Sequence, residues 1–228
     1  MGLVSVIIPV LDEQGTIEDC INQFASVSDV EVLVVDGGSR DRTRDIVGAS
    51  TVARLVTSEC AGRAAQMNLG ASKASGKILL FLHADTKLPV EWLSLIRNSM
   101  ADGRVVGGRF RLAMSEDTWI FRLVGLFSTL RSRYFGITYG DQGIFVRRSA
   151  FTQVGGFPMR QIFEDSEFCK AVTKLGSFVM LDASVCSSTR RWRQSGIIRT
   201  VLWMWVMRLL YYCSVPDGKL SQLYRQVR

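Results

Sequence analysis

Lys-Ile-Leu-Leu-Phe-Leu-His-Ala-Asp, residues 77–85, decides how the chain is read. The apolar run from Ile78 to Leu82 shows no alternation. That marks a strand buried on both faces of a parallel sheet. Such strands bring ligands to their carboxyl ends. This one ends in His83, the single histidine of the chain, and Asp85. In an extended segment two residues that far apart send their side chains to the same side. A nitrogen and an oxygen donor so placed suit a divalent ion, or the diphosphate that such an ion holds. Taken alone, the same residues also fit a histidine satisfied at a strand end and an aspartate opening the turn Thr86 to Pro89.

The flanking sequence repeats the pattern. Val4 to Val10 is a buried strand stopped by Pro9, followed by the polar loop Leu11-Asp12-Glu13-Gln14-Gly15. Ile17, Cys20, Ile21 and Phe24 then fall at helical spacing. Val32 to Val35 is a second apolar strand ending in Asp36, ahead of the glycine turn Gly37-Gly38-Ser39. Arg54 to Thr57 is a weak third strand. Gly62 to Ser75 is helical, with Gly70 as a position of close contact. Strand and helix alternate through residues 1–90 with short connections, which predicts a parallel α/β sheet wound by right-handed crossovers.

Beyond Pro89 the rhythm changes. Helices are expected at Glu91 to Met100, Thr118 to Arg131 and Ile162 to about Leu175. Strands are expected at Val105 to Ala113, Ile144 to Val146 and Phe178 to Leu181. Arg190-Arg191-Trp192-Arg193 is a basic-aromatic cluster, and Ile197 to Cys213 is a strongly apolar helix. No repeat or low-complexity linker divides the chain, so one domain over residues 1–228 is expected.

Of 228 residues, 47% are hydrophobic and 21% charged, an ordinary globular balance. The net charge of +7 points to an anionic partner. The five cysteines are scattered and form no C-x-x-C pair, which argues against a disulfide framework or a zinc site and fits a reducing compartment. The N-terminus shows no basic-then-apolar leader, so the expected location is the cytoplasm, including the inner face of the membrane. No G-x-G-x-x-G follows the first strand and no P-loop pattern occurs, which excludes the usual dinucleotide and P-loop sites.

Six stretches taken together carry a resemblance. They are Val-Ser-Val-Ile-Ile-Pro-Val (4–10), Val-Asp-Gly-Gly-Ser-Arg-Asp (35–41), Gly-Arg-Ala-Ala-Gln-Met-Asn-Leu-Gly (62–70), Phe-Leu-His-Ala-Asp (81–85), Val-Gly-Gly-Phe (154–157) and Glu164-Asp165. In this order they resemble glycosyltransferase family 2, the inverting GT-A enzymes, and in particular a small bacterial subgroup of selenodomain-associated transferases. The resemblance implies an α/β GT-A nucleotide-sugar-binding fold: a mostly parallel central sheet flanked by helices, with a C-terminal apolar helix. Residues 1–90 would be the nucleotide-binding half and 91–228 the acceptor-binding half.

It also implies a transfer from a UDP- or GDP-linked sugar to an acceptor hydroxyl, with no nucleic acid involved. The implied nucleotide-sugar site comprises Pro9, Leu11, Glu13, Asp36, Gly38, Ser39, Gly62, Arg63, Gln66, His83, Ala84 and Asp85. Asp85 matches the metal-holding residue of the D-x-D motif, for Mg²⁺ or Mn²⁺. The usual first aspartate is His83 here, which leaves contact to metal or to phosphate open. Asp165 matches the general base, and Glu164 would orient acceptor or metal. Asp141, Gln142, Arg191 and Trp192 would meet acceptor or diphosphate, the last two as a reduced Q-x-x-R-W motif.

Two departures stand out. Many members have Asp-Asp-Gly-Ser where this chain has Asp36-Gly37-Gly38-Ser39. Many also have arginine where this chain has Met67, and Arg63, four residues earlier, is expected to supply that phosphate contact. Of other classes, a nucleotide-binding or membrane-surface protein without turnover stays open. Trp203, Trp205, Tyr211 and Tyr212 with Arg199 and Arg208 resemble an interfacial helix, giving a peripheral membrane contact. The apolar run is too short to span a bilayer. The expectation for this helix is a core element covering the sheet edge.

Overall fold

The computed structural model describes residues 2–60, 62–213 and 215–227, without the side chains of residues 191, 194, 195 and 224–227. Strands β1 (Val4–Val10), β2 (Val30–Asp36), β3 (Ala53–Thr57) and β4 (Ile78–Phe81) alternate with helices α1 (Ile17–Asn22), α2 (Thr43–Ala49) and α3 (Arg63–Lys73). Then follow β5 (Thr86–Lys87), α4 (Trp92–Ser99), β6 (Val105–Met114), α5 (Trp119–Phe135), β7 (Ile144–Arg147), α6 (Arg148–Gln153), α7 (Glu164–Val172) and β8 (Ser177–Ser187). The chain closes with α8 (Arg190–Ser195), α9 (Ile197–Tyr212) and α10 (Asp217–Val227).

One eight-stranded sheet in the order β3-β2-β1-β4-β7-β6-β8-β5 takes strands from both halves of the sequence. β1 pairs in parallel with β2 and β4, and β2 with β3. β7 runs antiparallel to β4 and to β6, while β6 and β8 are parallel. The absence of alternation is explained by the core. Val4, Val6, Ile8, Val32, Val34, Ile78 and Leu80 face one apolar layer with Ile17, Ile21, Phe24, Trp92 and Ile96. Ile7, Leu33, Val35, Leu79 and Phe81 face the other, with Ala64, Met67, Phe157 and Phe168. Each such aliphatic side chain contributes about 1.5–3 kcal/mol when buried. Gly70 lets α3 lie directly on the sheet, since a Cβ there would meet Ile7 Cγ2 at 2.5 Å and Val35 Cγ2 at 2.9 Å.

Three expectations change. Thr86 does not merely open a turn: Thr86–Lys87 pairs with the end of β8, which runs well past Leu181. A further helix, α10, follows α9 where no element is expected. The third correction concerns α9, which is not a covered core helix. Only Met207 and Arg208 are fully buried on it. Ile198, Leu202, Trp205, Leu209 and Tyr212 form an exposed row, and α5 exposes Trp119, Leu123, Leu126 and Phe127. Among the described residues no helix is long and apolar enough to cross a membrane.

Candidate active site

The carboxyl ends of β1, β2 and β4 open into one crevice. Its floor is tied by main-chain and side-chain bonds. Gly37 N donates to Val10 O at 3.0 Å, and Asp12 N donates to Ser39 Oγ at 3.0 Å. Asp36 is fully buried and accepts from the amides of Gly38 and Ser39, both at 3.1 Å. Asp36 thus shapes its own turn. Gln66, expected among the ligands, is buried with its amide group donating to Val10 O at 2.8 Å and Val35 O at 2.7 Å. It braces the ends of β1 and β2. Pro9 is half-buried at the end of β1, Ala84, expected at the nucleotide site, is instead buried in the apolar layer with Trp92 and Ile96, Leu11 stands exposed at the mouth, and Gly62 precedes α3. Glu13 accepts from Thr16 Oγ1 at 2.9 Å and lies 3.6 Å from Arg190 of α8.

A second cluster closes the crevice. Arg63 opens α3, and its guanidinium donates to Glu164 Oε1 at 2.8 and 2.6 Å and to Asp165 Oδ2 at 3.1 Å. It faces the two carboxylates at the start of α7, where acidic groups also suit the helix N-terminus. Arg63 Nη1 lies 3.5 Å from His83 Nε2. Gly140 N donates to Asp165 Oδ2 at 2.9 Å. A Cβ on Gly140 would meet His83 Nε2 at 2.6 Å and that same Oδ2 at 2.8 Å. Residues from four separate stretches of sequence meet here. Just before Glu164, Phe163 has a left-handed backbone (φ 62°), a conformation costly for a bulky residue and common at functional sites.

The electrostatics follow from burial. Burial pushes the Asp165 carboxyl up, the Glu164 charge adds to this, and Arg63 opposes it. The net result is a pKa raised to about 7. Burial also raises Asp141, against the pull of Arg131 and Arg63. Asp165 Oδ1, Glu164 Oε2, Asp141 Oδ1 and Gln142 Oε1 are buried acceptors without a hydrogen-bond partner among the described residues. Those of Asp165, Glu164 and Asp141, whose charges act on one another, suit a donor arriving from outside, such as a sugar hydroxyl.

The segment after β4 is not extended as expected. It turns, with Thr86 N donating to His83 O at 3.2 Å. Asp85 still lies close enough to Asp141 for their charges to interact. Among the described residues no group of three His, Cys, Asp or Glu side chains converges on a metal position. One carboxylate completed by diphosphate oxygens is a donor set that Mg²⁺ or Mn²⁺ accepts. Asp85 fits that role. His83 fits it less well, because a cation at its Nε2 would sit beside the Arg63 guanidinium.

Trp192 is half-buried on α8, and the Arg191 side chain lies outside the described residues. A cavity of about 620 Å³ lies elsewhere, along α7, α9 and α10. Its charges are matched internally, Arg160 with Asp217 and Lys170 with Glu167. Sequence reasoning missed the clamp at Gly140 and the inward course of Arg208. An arginine well inside an apolar helix, flanked by Met207 and Leu209, was the available signal for the latter.

Sheet order and crevice together define a GT-A fold. The model of glycosyl transferase family 2 matches residues 5–155, and the chain belongs to that family. It is 32% identical over 196 residues to glycosyltransferase AglE of Haloferax volcanii, covering 77% of this chain and 63% of that protein. It is 26% identical over 158 residues to undecaprenyl-phosphate 4-deoxy-4-formamido-L-arabinose transferase of Pseudomonas aeruginosa, covering 64% of this chain and 47% of the relative. The chain thus spans about half to three-fifths of these relatives' lengths. Among solved structures, mannosyltransferase PcManGT of Pyrobaculum calidifontis, in complex with GDP-Man and Mn²⁺, superposes with a TM-score of 0.70. Identity there is 21%, over 85% of this chain and 61% of that one. Glucosyl-3-phosphoglycerate synthase of Mycobacterium tuberculosis, with Mn²⁺, UDP and phosphoglyceric acid, gives 0.66 at 18% identity, over 94% and 80%.

Proposed function

We propose that the protein is an inverting glycosyltransferase that moves a sugar from a UDP- or GDP-linked donor to an acceptor hydroxyl, with Asp165 as general base. One observation carries this: Asp165 is buried beside Glu164, its pKa is raised to about 7, and its Oδ1 is without a partner among the described residues. A carboxylate of that basicity is matched to taking a proton near neutral pH. The acceptor hydroxyl gives its proton to Asp165 as its oxygen attacks the anomeric carbon, from the face opposite the departing nucleoside diphosphate. Gly140 N and Arg63 hold the other carboxylate oxygen and so aim the base. Glu164 orients the acceptor, and Leu11 with the Gly38-Ser39 turn that Asp36 shapes receives the nucleoside. Mg²⁺ or Mn²⁺ on Asp85 would neutralise charge on the diphosphate leaving group. The donor-bound neighbours support the choice of nucleotide sugar and metal. Residues 1–90 act as the donor half and 91–228 as the acceptor half of one domain. The deciding experiment is product stereochemistry with a panel of nucleotide sugars: retention of the donor's anomeric configuration rules the mechanism out.

A peripheral contact with the cytoplasmic face of the membrane is favoured by the exposed apolar rows on α5 and α9 on a chain of net charge +7. Flotation with anionic vesicles, lost in Leu202→Ser/Trp205→Ser/Leu209→Ser, tests it. No flotation of the unaltered protein removes it.

A further inference from the structure

We propose that the acceptor side of this site contains an anion subsite, in which Arg208 of α9 and Arg131 of α5, meeting at Tyr139, take a phosphate monoester group of the acceptor. The proposal rests on the reading of Asp165 as the residue that faces the acceptor.

Arg208 is 5% exposed in a helix that is otherwise mostly apolar. Its Nη2 donates to Ser166 Oγ at 3.3 Å, but Nε and Nη1 are buried without an acceptor among the described residues. No described carboxylate forms an ion pair with it. The guanidinium lies instead against rings, 4.3 Å from the Phe163 centroid, 5.2 Å from Tyr139 and 5.8 Å from Tyr211 and Tyr212. Faces of aromatic rings attract a cation. They do not accept two strong N–H donors, and a buried charge lacking a counter-ion is expensive.

Arg131 makes the imbalance larger. Its Cζ is 4.1 Å from the same Tyr139 ring, and its donors go to Ser128 Oγ at 2.9 Å and Ile137 O at 3.4 Å, both neutral. Burial lowers its pKa, Tyr139 and Asp141 raise it, and the charge of Arg208 lowers it again. Of the nearby acids, Glu164 and Asp165 already face Arg63, and Asp141, which burial pushes towards its neutral form, is shared between Arg131 and Arg63. Two guanidinia thus share one ring with too little negative charge around them. A phosphate monoester carries about −1.5 to −2 at neutral pH and offers several acceptor oxygens, which matches two forked donors.

The placement suits an acceptor. Tyr139 precedes Gly140, whose amide holds Asp165; Phe163 precedes Glu164; Ser166 follows Asp165. Apart from Arg131 on α5, every side chain in this cage is adjacent in sequence to the base cluster or lies on α9. Tyr212, 57% exposed, is the ring most open to solvent and marks the side from which an anion would enter.

The test is thermal melting of the full chain with inorganic phosphate or phenyl phosphate, in saturating UDP or GDP with Mn²⁺ so that the donor side is occupied. The expected result is a melting temperature that rises with phosphate. Arg208→Met should weaken that response roughly tenfold or more while melting no lower than wild type without phosphate. Arg122→Gln, an exposed control, should keep it. If Arg208→Met does not fold, Arg131→Gln must weaken the response instead. Vesicles bearing a lipid phosphate monoester, against phosphodiester vesicles of equal charge, identify a lipid source if they bind where soluble phosphates do not. No response to either source, or an equal response in wild type and variant, overturns the subsite. Donor hydrolysis that persists in Arg208→Met keeps the transferase reading intact whatever the subsite result.

Discussion

Arg63 and Glu164 are 101 residues apart in sequence and are joined by hydrogen bonds of 2.8 and 2.6 Å from one guanidinium to one carboxylate oxygen. The same guanidinium touches Asp165, whose pKa it holds down against burial and the Glu164 charge. In Arg63→Gln that restraint is gone. The acid limb of the transfer rate should move to higher pH, read from a rate profile between pH 5 and 9. An unmoved limb would show that Asp165 is not the titrating base.

Asp165→Asn keeps the size of the side chain and removes the base. Transfer should fall by about 10²–10⁴-fold, with nucleotide-sugar binding nearly unchanged by calorimetry. Transfer at the wild-type rate contradicts the assignment.

The same group gives a stability signature. Its folded pKa of about 7 lies above the ordinary aspartate value of 3.8, so the folded state holds the proton longer. Stability from this group is full at pH below 3.8 and is lost as pH rises to about 7. Asp165→Asn should flatten the fall in melting temperature across that window. An unchanged slope would assign the fall to other groups.

Asp85→Ala should abolish any dependence of nucleotide binding on Mg²⁺ or Mn²⁺, together with tight binding. Equal affinity of the unaltered protein in chelator and in Mn²⁺ would take the metal out of the mechanism.

Gly140→Ala would place a methyl group 2.6 Å from His83 Nε2 and 2.8 Å from Asp165 Oδ2. Either side chain must move, so transfer should drop more than tenfold, as expected of a small displacement at the base. The variant should still fold, which circular dichroism and melting would show. Wild-type transfer would mean that the close approach at Gly140 is not needed.

The strands β1, β2 and β4 were legible because an unbroken apolar run has one physical explanation, a strand with a layer on each face. Their polar ends were legible for the same reason: a run that stops in Asp36 or in His83 and Asp85 has reached the edge of the sheet. Asp165 and Glu164 were legible only as part of a set of motifs. The sequence alone therefore determined the α/β class, the edge of the sheet where chemistry would sit, and the residues worth examining. It did not show that β8 would pair with both β6 and β5, that Arg63 would turn to the carboxylates, or that Gln66 would brace two strand ends. Nor did it show which face of α9 is covered, because an apolar helix reads alike whether a neighbour lies on it or not. Local pattern is set by the geometry of a single segment, whereas these contacts depend on where the crossovers bring segments a hundred residues apart. Only the tertiary structure decided them, since the partners of Arg63, Gly140 and Arg208 are chosen by packing and not by spacing along the chain.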